Sequence, residues 1–380
     1  MRAALARPER RIALDLSDWR SILLALLATR LGLVAVGLVA VQVMPRGASY
    51  LDLVPRLPWL SMWLQWDAEH YAEIAVPGYS YGPNAYSNTA FFPLFPWILR
   101  LGASMLGRVD TETVALVGFI VANLALFVAL LYLAALVRLD LGASVARRAV
   151  LYVLVFPTTV FLSAVYAEAL FVATATGSLY HARRGEWYRA GFCGALAALA
   201  RPFGILLVVP LAIELLRQRP PRHAAFALVL VPAGTAAFFG YLWWQLGDPW
   251  LYVRANLTWG RGFAWPWETL LEFARQPLVV FGWYYSVVDL AFVVAMTMLA
   301  ALAWRRLPAS YAAFASVGLL FTLSTKVWIS TPRHALALFP LTILLAVYGE
   351  RRWFHWAWLV LSTIMAIGFA TRYFSGNWLA

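Results

Sequence analysis

QWDAEHYAEIAVPGYSYG, residues 65–82, sets three carboxylates, Asp67, Glu69 and Glu73, into seven positions of a chain that is otherwise largely apolar. Whether this stretch belongs to a soluble domain or to a loop between membrane helices decides the fold, and its surroundings answer the question. Of the 380 residues, 63% are apolar and 13% charged. The mean hydropathy is +0.72, outside the balance of a soluble globular chain. The class is therefore an all-α polytopic membrane protein, one domain over residues 1–380. A net charge of +12 in a soluble domain would suggest nucleic acid. Here the arginines stand in short clusters between long apolar runs, which is the positive-inside pattern of membrane proteins and calls for no nucleic-acid partner. Cys193, the single cysteine, has no partner for a disulfide or a cysteine metal site.

The clusters thread the chain. Arg10/Arg11/Arg20, Arg138/Arg147/Arg148, Arg183/Arg184/Arg189, Arg217/Arg219/Arg222, Arg305/Arg306 and Arg351/Arg352 mark the cytoplasmic side, and between successive markers the chain must leave and return. The first apolar run, Ile22 to Met44, follows Arg2, Arg7, Arg10, Arg11 and Arg20. Its length suits a retained first helix with a cytoplasmic N-terminus. Spans are expected near 22–44, 112–137, 149–166, 167–182, 190–201, 202–216, 224–246, 278–303, 309–324, 335–348 and 355–371. That makes about 11 crossings. Residues 45–111 and 247–277 then form two long extracytoplasmic loops, the first holding Ala90–Leu106 as an interfacial or re-entrant helix.

The first loop and the outer ends of several spans gather chemistry at one surface. As a helix, DAEHYAEIA puts Asp67, His70 and Ile74 on one face and Glu69 and Glu73 on another, with Pro77-Gly78 as its stop. Trp66, Tyr79, Tyr81 and Tyr86 supply ring faces and hydroxyls suited to a sugar or acceptor, and Tyr166 stands two residues before Glu168. The bland alternative is an amphipathic loop helix with solvated acids and interfacial aromatic anchors. Glu168, in FPTTVFLSAVYAEALF, falls where two spans meet; such an acid is functional by default, or else a helix-start charge favoured by the dipole. Arg201, Lys326, Arg333 and His334 oppose the inside bias and suit a phosphate, with lipid headgroup anchoring as the plainer reading. No phosphate loop, metal cluster or serine nucleophile elbow is present, so no cofactor or metal is expected.

WDAEHYAEIAVPGYSYG, AFFPLFPWILRL, FPTTVFLSAVYAEALF, ARPFGIL and PRHALALFPL, in this order, resemble the PIG-V-type mannosyltransferases and their bacterial relatives, within the GT-C superfamily of polytopic glycosyltransferases. The resemblance runs from about residue 65 to residue 341. It implies a GT-C helical bundle and an inverting transfer of mannose from a polyprenyl-phosphate donor, dolichyl phosphate in eukaryotes. The acceptor would be a hydroxyl of a lipid, glycan or protein on the extracytoplasmic face. It further implies Asp67 as general base and Glu168 as a second catalytic acid that orients the acceptor or supports the base. Arg333 and Arg201 would face the donor phosphate, with Lys326 and His334 beside them. Which of the two acids is the base stays open from sequence. Because the leaving group departs as an anion, nearby cations stabilise it without a protonating acid, and metal-independent catalysis is expected.

The chain is shorter than the eukaryotic members and its single lysine, Lys326, among many arginines suggests a bacterial inner-membrane protein in contact with membrane lipids. Two rival readings remain at this stage. One is a transferase of the same architecture using another lipid-linked sugar. The other is a transporter of such lipids, which should show paired broken helices in repeated halves and acids at the bilayer midplane.

Overall fold

The computed structural model describes residues 18–83 and 85–378. Arg2 and Arg7, and Arg10 and Arg11 of the first inside marker, lie outside the described residues. Helix α1 (Trp19–Val43) is followed by a long connection holding α2 (Pro58–Ser61), α3 (Ala68–Ala75) and α4 (Leu94–Met105). Next come α5 (Thr111–Leu141), α6 (Ala143–Leu154), α7 (Glu168–Arg183), α8 (Trp187–Ala200), α9 (Val208–Gln218) and α10 (Phe226–Leu246). A second connection carries α11 (Leu251–Thr258) and α12 (Pro266–Arg275), before α13 (Val287–Arg306), α14 (Ala309–Leu323), α15 (Thr331–Ala337), α16 (Phe339–Tyr348) and α17 (Arg352–Phe374). Among the described residues there is no strand beyond two isolated bridges, Phe263 with Thr325 and Val279 with Ser286. The protein is an all-helical integral membrane protein.

Helices stand at the positions where spans were expected, but their lengths differ. Among the described residues five are long and apolar enough to cross a bilayer: α1, α5, Arg222–Leu246, α13 and α17. A sixth is reached if α15 and α16, bent by 76°, count as one span. Helices α6, α7, α8, α9 and α14 have 12, 16, 14, 11 and 15 residues, short of the ~20 that a ~30 Å hydrocarbon layer requires. Helix length thus does not reproduce a tally of eleven. Charge alternation counts reversals of direction, whereas the length rule holds for helices that face lipid. Helix α7 is buried from end to end, apart from Leu170 and Arg183, so protein satisfies its surroundings and a short helix suffices.

The irregular segment between α6 and α7 shows how this is done. Residues 156–167 are buried throughout, a position that demands partners for every polar group. Arg30, 7% exposed on α1, supplies several. Its Nη2 donates to the Leu154 carbonyl and the Thr159 hydroxyl, both at 2.9 Å. Its Nη1 donates to Ser163 Oγ at 3.0 Å and to the Thr159 carbonyl at 3.2 Å. One guanidinium therefore caps α6, whose last carbonyls have no partner within the helix. A second polar knot ties the bundle together. Arg183 on α7 donates to Asp140 on α5 and, at 3.0 Å, to both oxygens of Glu214 on α9, and Ser310 of α14 donates to Glu214 at 2.7 Å.

The second connection is longer than its sequence suggested. A span was expected from 278, yet α13 begins at 287. Ser286 fixes that start, its hydroxyl accepting the Asp289 N–H at 3.3 Å, and residues 276–286 stay non-helical.

Candidate active site

Helix α3 forms as DAEHYAEIA predicts and ends at Val76; Gly78, at φ +112°, turns the chain away. Asp67 occupies the N-cap position, where an aspartate ordinarily accepts a hydrogen bond from the first helical turn. Its side chain makes no such bond and goes to Arg333 instead, with Nη2 2.8 Å from Oδ2. Trp66, just before it, adopts φ +60°, a left-handed conformation costly for a bulky residue and characteristic of sites where a side chain must be aimed. Tyr166 fixes this geometry from α7's approach: its hydroxyl donates to the Gln65 carbonyl at 2.9 Å and accepts the Asp67 N–H at 3.1 Å.

Glu168 opens α7, where the helix dipole favours a carboxylate. It is 1% exposed. Arg333 donates to its Oε1 from Nε at 3.1 Å and from Nη2 at 2.9 Å, and Arg201 pairs with the same oxygen. Its Oε2 is buried with no partner among the described residues. Arg201 ends α8 in an extended conformation, as a residue before proline prefers. Gly204 lets the following turn close down on α8: a Cβ there would stand 2.2 Å from the Ala197 and Ala198 backbone. ARPFG is therefore a helix stop that presents Arg201.

Arg333 in turn depends on α15. Ser330 holds φ +61° ahead of that helix, and the buried Asp289 of α13 accepts the Thr331 N–H at 2.8 Å. The guanidinium lies over the rings of Phe161 and Tyr166, 4.9 Å from each centroid.

These groups border a cleft of about 360 Å³ lined by Asp67, Arg201, Arg333 and His334, with Tyr71, Phe91, Tyr252 and Asn256 among its walls. Glu168 lies behind Arg333 and Arg201 and is not part of the lining. A third guanidinium, Arg261, enters from the second connection. Its Nε is buried and unpartnered among the described residues, as is Nδ1 of His334. Two carboxylates against three guanidiniums leave a positive surplus, suited to an anion. Burial alone would raise the Asp67 carboxyl, but Arg333 and then Arg261 outweigh it and hold the group below the usual carboxylate range. Burial pulls the Arg261 guanidinium down, with Asp67 opposing. Burial also pushes the Tyr252 phenol up to about 12.

Of the residues expected from sequence, Asp67, Glu168, Arg201 and Arg333 meet in one ion-pair chain, with His334 beside it and Tyr166 beneath. Lys326 is exposed and lines a neighbouring cleft with Glu268, Glu272 and Tyr284; its N–H pairs with the Gly262 carbonyl at 2.9 Å, and it does not line the cleft of Arg333. Tyr79 is buried, donating to the Phe91 carbonyl at 2.8 Å and packing on Phe238. Tyr81 packs partly buried on that same apolar cluster. His70 pairs with Glu73 at 3.2 Å and stacks on Phe91, and Glu69 occupies the first turn of α3 without lining the cleft. Arg261 and Asp289 were not foreseen. Among the described residues no group of three or more His, Cys, Asp or Glu side chains is arranged to hold a metal ion.

Comparison with known proteins adds a partial likeness. Residues 49–219 match the family described as Mannosyltransferase (PIG-V). The GPI alpha-1,6-mannosyltransferase 2 of Mus musculus is 37% identical over 152 residues, 37% of this chain and 29% of that protein. The Homo sapiens protein of that name is 33% identical over 153 residues, 38% of this chain and 29% of its own length. The match thus spans less than a third of these relatives. In fold, the chain is similar to the crystal structure of ArnT from Cupriavidus metallidurans bound to undecaprenyl phosphate, with a TM-score of 0.51, 15% identity, and coverage of 90% of this chain and 63% of that one.

Proposed function

Because residues 49–219 carry the PIG-V mannosyltransferase pattern, we propose that this protein is an inverting mannosyltransferase. It moves mannose from a polyprenyl-phosphate donor to an acceptor hydroxyl at the extracytoplasmic face of a bacterial inner membrane. The observation that carries the reading is the ion-pair chain Asp67–Arg333–Glu168–Arg201 along the wall of a cleft with surplus positive charge.

Each part has a task in such a reaction. Arg333 engages Oδ2 of Asp67, and Oδ1 is the oxygen that receives the proton of the attacking hydroxyl. The acceptor oxygen forms the new bond to C1 of the sugar while the bond from C1 to the phosphate oxygen breaks, and the lipid phosphate leaves as an anion. Arg201, Arg261 and His334 face that developing charge, and preorganised cations in a poorly hydrated cleft stabilise it more strongly than water does. A phosphate is a good leaving group, so the C1 bond is largely broken before the proton moves; a carboxylate of low basicity then suffices. Glu168, withdrawn behind two arginines, orients Arg333 and Arg201.

Transfer of label from polyprenyl-phosphate-[³H]mannose to a membrane extract tests the reading. Transfer by the purified protein, lost in Asp67→Asn, supports it. Absence of transfer, with the lipid carried intact across the bilayer of reconstituted vesicles, would establish a transporter instead.

A further inference from the structure

The segment after α17, residues 375–378, is bound into both connections. The Gly47 N–H donates to the Ser375 carbonyl at 2.8 Å. Gly376, at φ +70°, passes so close to the first connection that a Cβ would stand 2.6 Å from Tyr50 Cα. Arg372 then fixes the run. Its carbonyl accepts the Asn377 N–H at 3.0 Å, and its guanidinium donates to the Trp378 carbonyl from Nε at 3.1 Å and from Nη2 at 2.8 Å. The same guanidinium lies 4.0 Å from the ring centroid of Phe281 in the second connection.

The outcome is the placement of one indole. Trp378 stands edge-on to Trp66 at 4.9 Å and lies 4.2 Å from Trp283, and Trp283 stacks on Trp259 at 5.9 Å and 21°. Trp259 in turn meets His70 of α3 edge-on at 5.7 Å, so the rings close a circuit that begins and ends on the first connection. Trp66 adjoins Asp67, and Trp259 stands two residues before Arg261. The circuit thus runs from the carboxylate to a cation of the cleft through a ring that neither connection supplies. Rings packed at these separations form a stiff chain, since displacing one forfeits its contacts with the next.

Trp66 is where such support is needed. Its φ of +60° is strained for a bulky residue and persists only where the surroundings over-determine it. Tyr373 at the end of α17 holds the backbone: its hydroxyl donates to the Trp63 carbonyl at 3.0 Å and lies 3.4 Å from the Gln65 carbonyl. Trp378 adds a hold on the ring. It is itself only partly buried, so its packing bears on these neighbours more than on the core of the bundle.

We propose that residues 375–378 clamp the candidate active site and that Trp378 is the positioning residue, holding Trp66, and with it Asp67, at a fixed separation from Arg261. The tasks of Asp67 and Arg261 rest on the transferase reading, whereas the mechanical coupling of the two connections stands apart from it.

Trp378→Ala and Trp378→Phe are compared with wild type as full-length proteins in nanodiscs. Hydrogen exchange of residues 63–70 and 255–263 reads the coupling, and label transfer with the donor varied reads the task. Trp378→Ala should raise exchange in both segments together, by about tenfold or more. It should also lower kcat about tenfold or more and raise the donor KM, on the ~1 Å sensitivity of positioned groups. Trp378→Phe refills the ring position and should restore most of both. Exchange at the wild-type level in either segment of Trp378→Ala overturns the clamp. So does an unchanged kcat per folded molecule and donor KM, the outcome for a segment that only stabilises the fold. Absence of transfer by wild type counts against the transferase reading instead, and exchange in the two segments then decides the clamp by itself.

Discussion

A single guanidinium nitrogen, Nη2 of Arg333, lies 2.8 Å from Asp67 and 2.9 Å from Glu168. The two acids come from connections about a hundred residues apart, and the cation that joins them comes from α15. Both acids are therefore positioned by the same partner.

Asp67→Asn keeps the shape of the carboxylate and removes the proposed base. General bases contribute about 10²–10⁴-fold, so label transfer should fall by that factor while stabilisation by undecaprenyl phosphate persists. Near-normal turnover at normal expression would remove Asp67 from the role.

Arg333→Met leaves Asp67 without its ion-pair partner and Glu168 with Arg201 alone, and breaking a buried pair from one side costs about 3–5 kcal/mol. A lower unfolding temperature in detergent and lost transfer should appear together. Arg333→Lys restores charge but reaches both acids poorly, since ammonium lacks the planar fork; it should recover stability more than turnover. Full activity in the lysine variant would show that the fork is dispensable.

The pH dependence follows from Asp67. Arg333 and Arg261 hold its carboxyl below the ordinary range despite burial, and the base works when deprotonated. The acid limb of the rate profile should therefore lie below about pH 4, the value for a free aspartate. The ion pair's contribution to stability is likewise complete above that unfolded-state value and is lost as pH falls through the lower folded one. An acid limb above pH 5 that disappears on replacing Asp67 would contradict the geometry.

Asp289 touches no cleft atom but accepts the Thr331 N–H at the start of α15. Asparagine retains an accepting oxygen there, so Asp289→Asn should keep most of the turnover, while Asp289→Leu should lower kcat at least tenfold by letting Arg333 drift, on the ~1 Å sensitivity of positioned groups. Equal kinetics for both variants would show that α15 does not need this contact.

Arg261→Gln removes a cation from the phosphate side alone. A rise of about tenfold or more in donor KM is expected, in line with ~1.5–3 kcal/mol for a hydrogen bond to a charged group. An unchanged KM, measured with the donor varied, would place the phosphate elsewhere.

Much of this site was legible in the sequence because the motif residues declare themselves chemically. Asp67 and Glu168 are acids in apolar surroundings, and Arg201-Pro202 stops a helix where a cation is otherwise out of place. Arg261 was not legible: WGRG reads as an interfacial turn, and only the docking of the second connection brings it to Asp67. Asp289 was hidden by the apolar run before it, which extended the expected span back to 278 and concealed the turn before α13. Lys326 misled because charge and proximity in sequence to Arg333 say nothing about direction, and it lines the neighbouring cleft instead.

Arg30 has a consequence for biogenesis. Its partners lie between Leu154 and Ser163, 124 to 133 residues later in the chain, so the ribosome delivers the charge to the translocon long before anything exists to receive it. The first helix must wait in lipid with an unmated cation, snorkelling or kept beside the insertase, until the segment before α7 arrives. That arrival both releases the first helix from its provisional state and lays the floor on which Glu168 will stand. Membrane insertion of α1 and construction of the candidate site are thus coupled through one side chain.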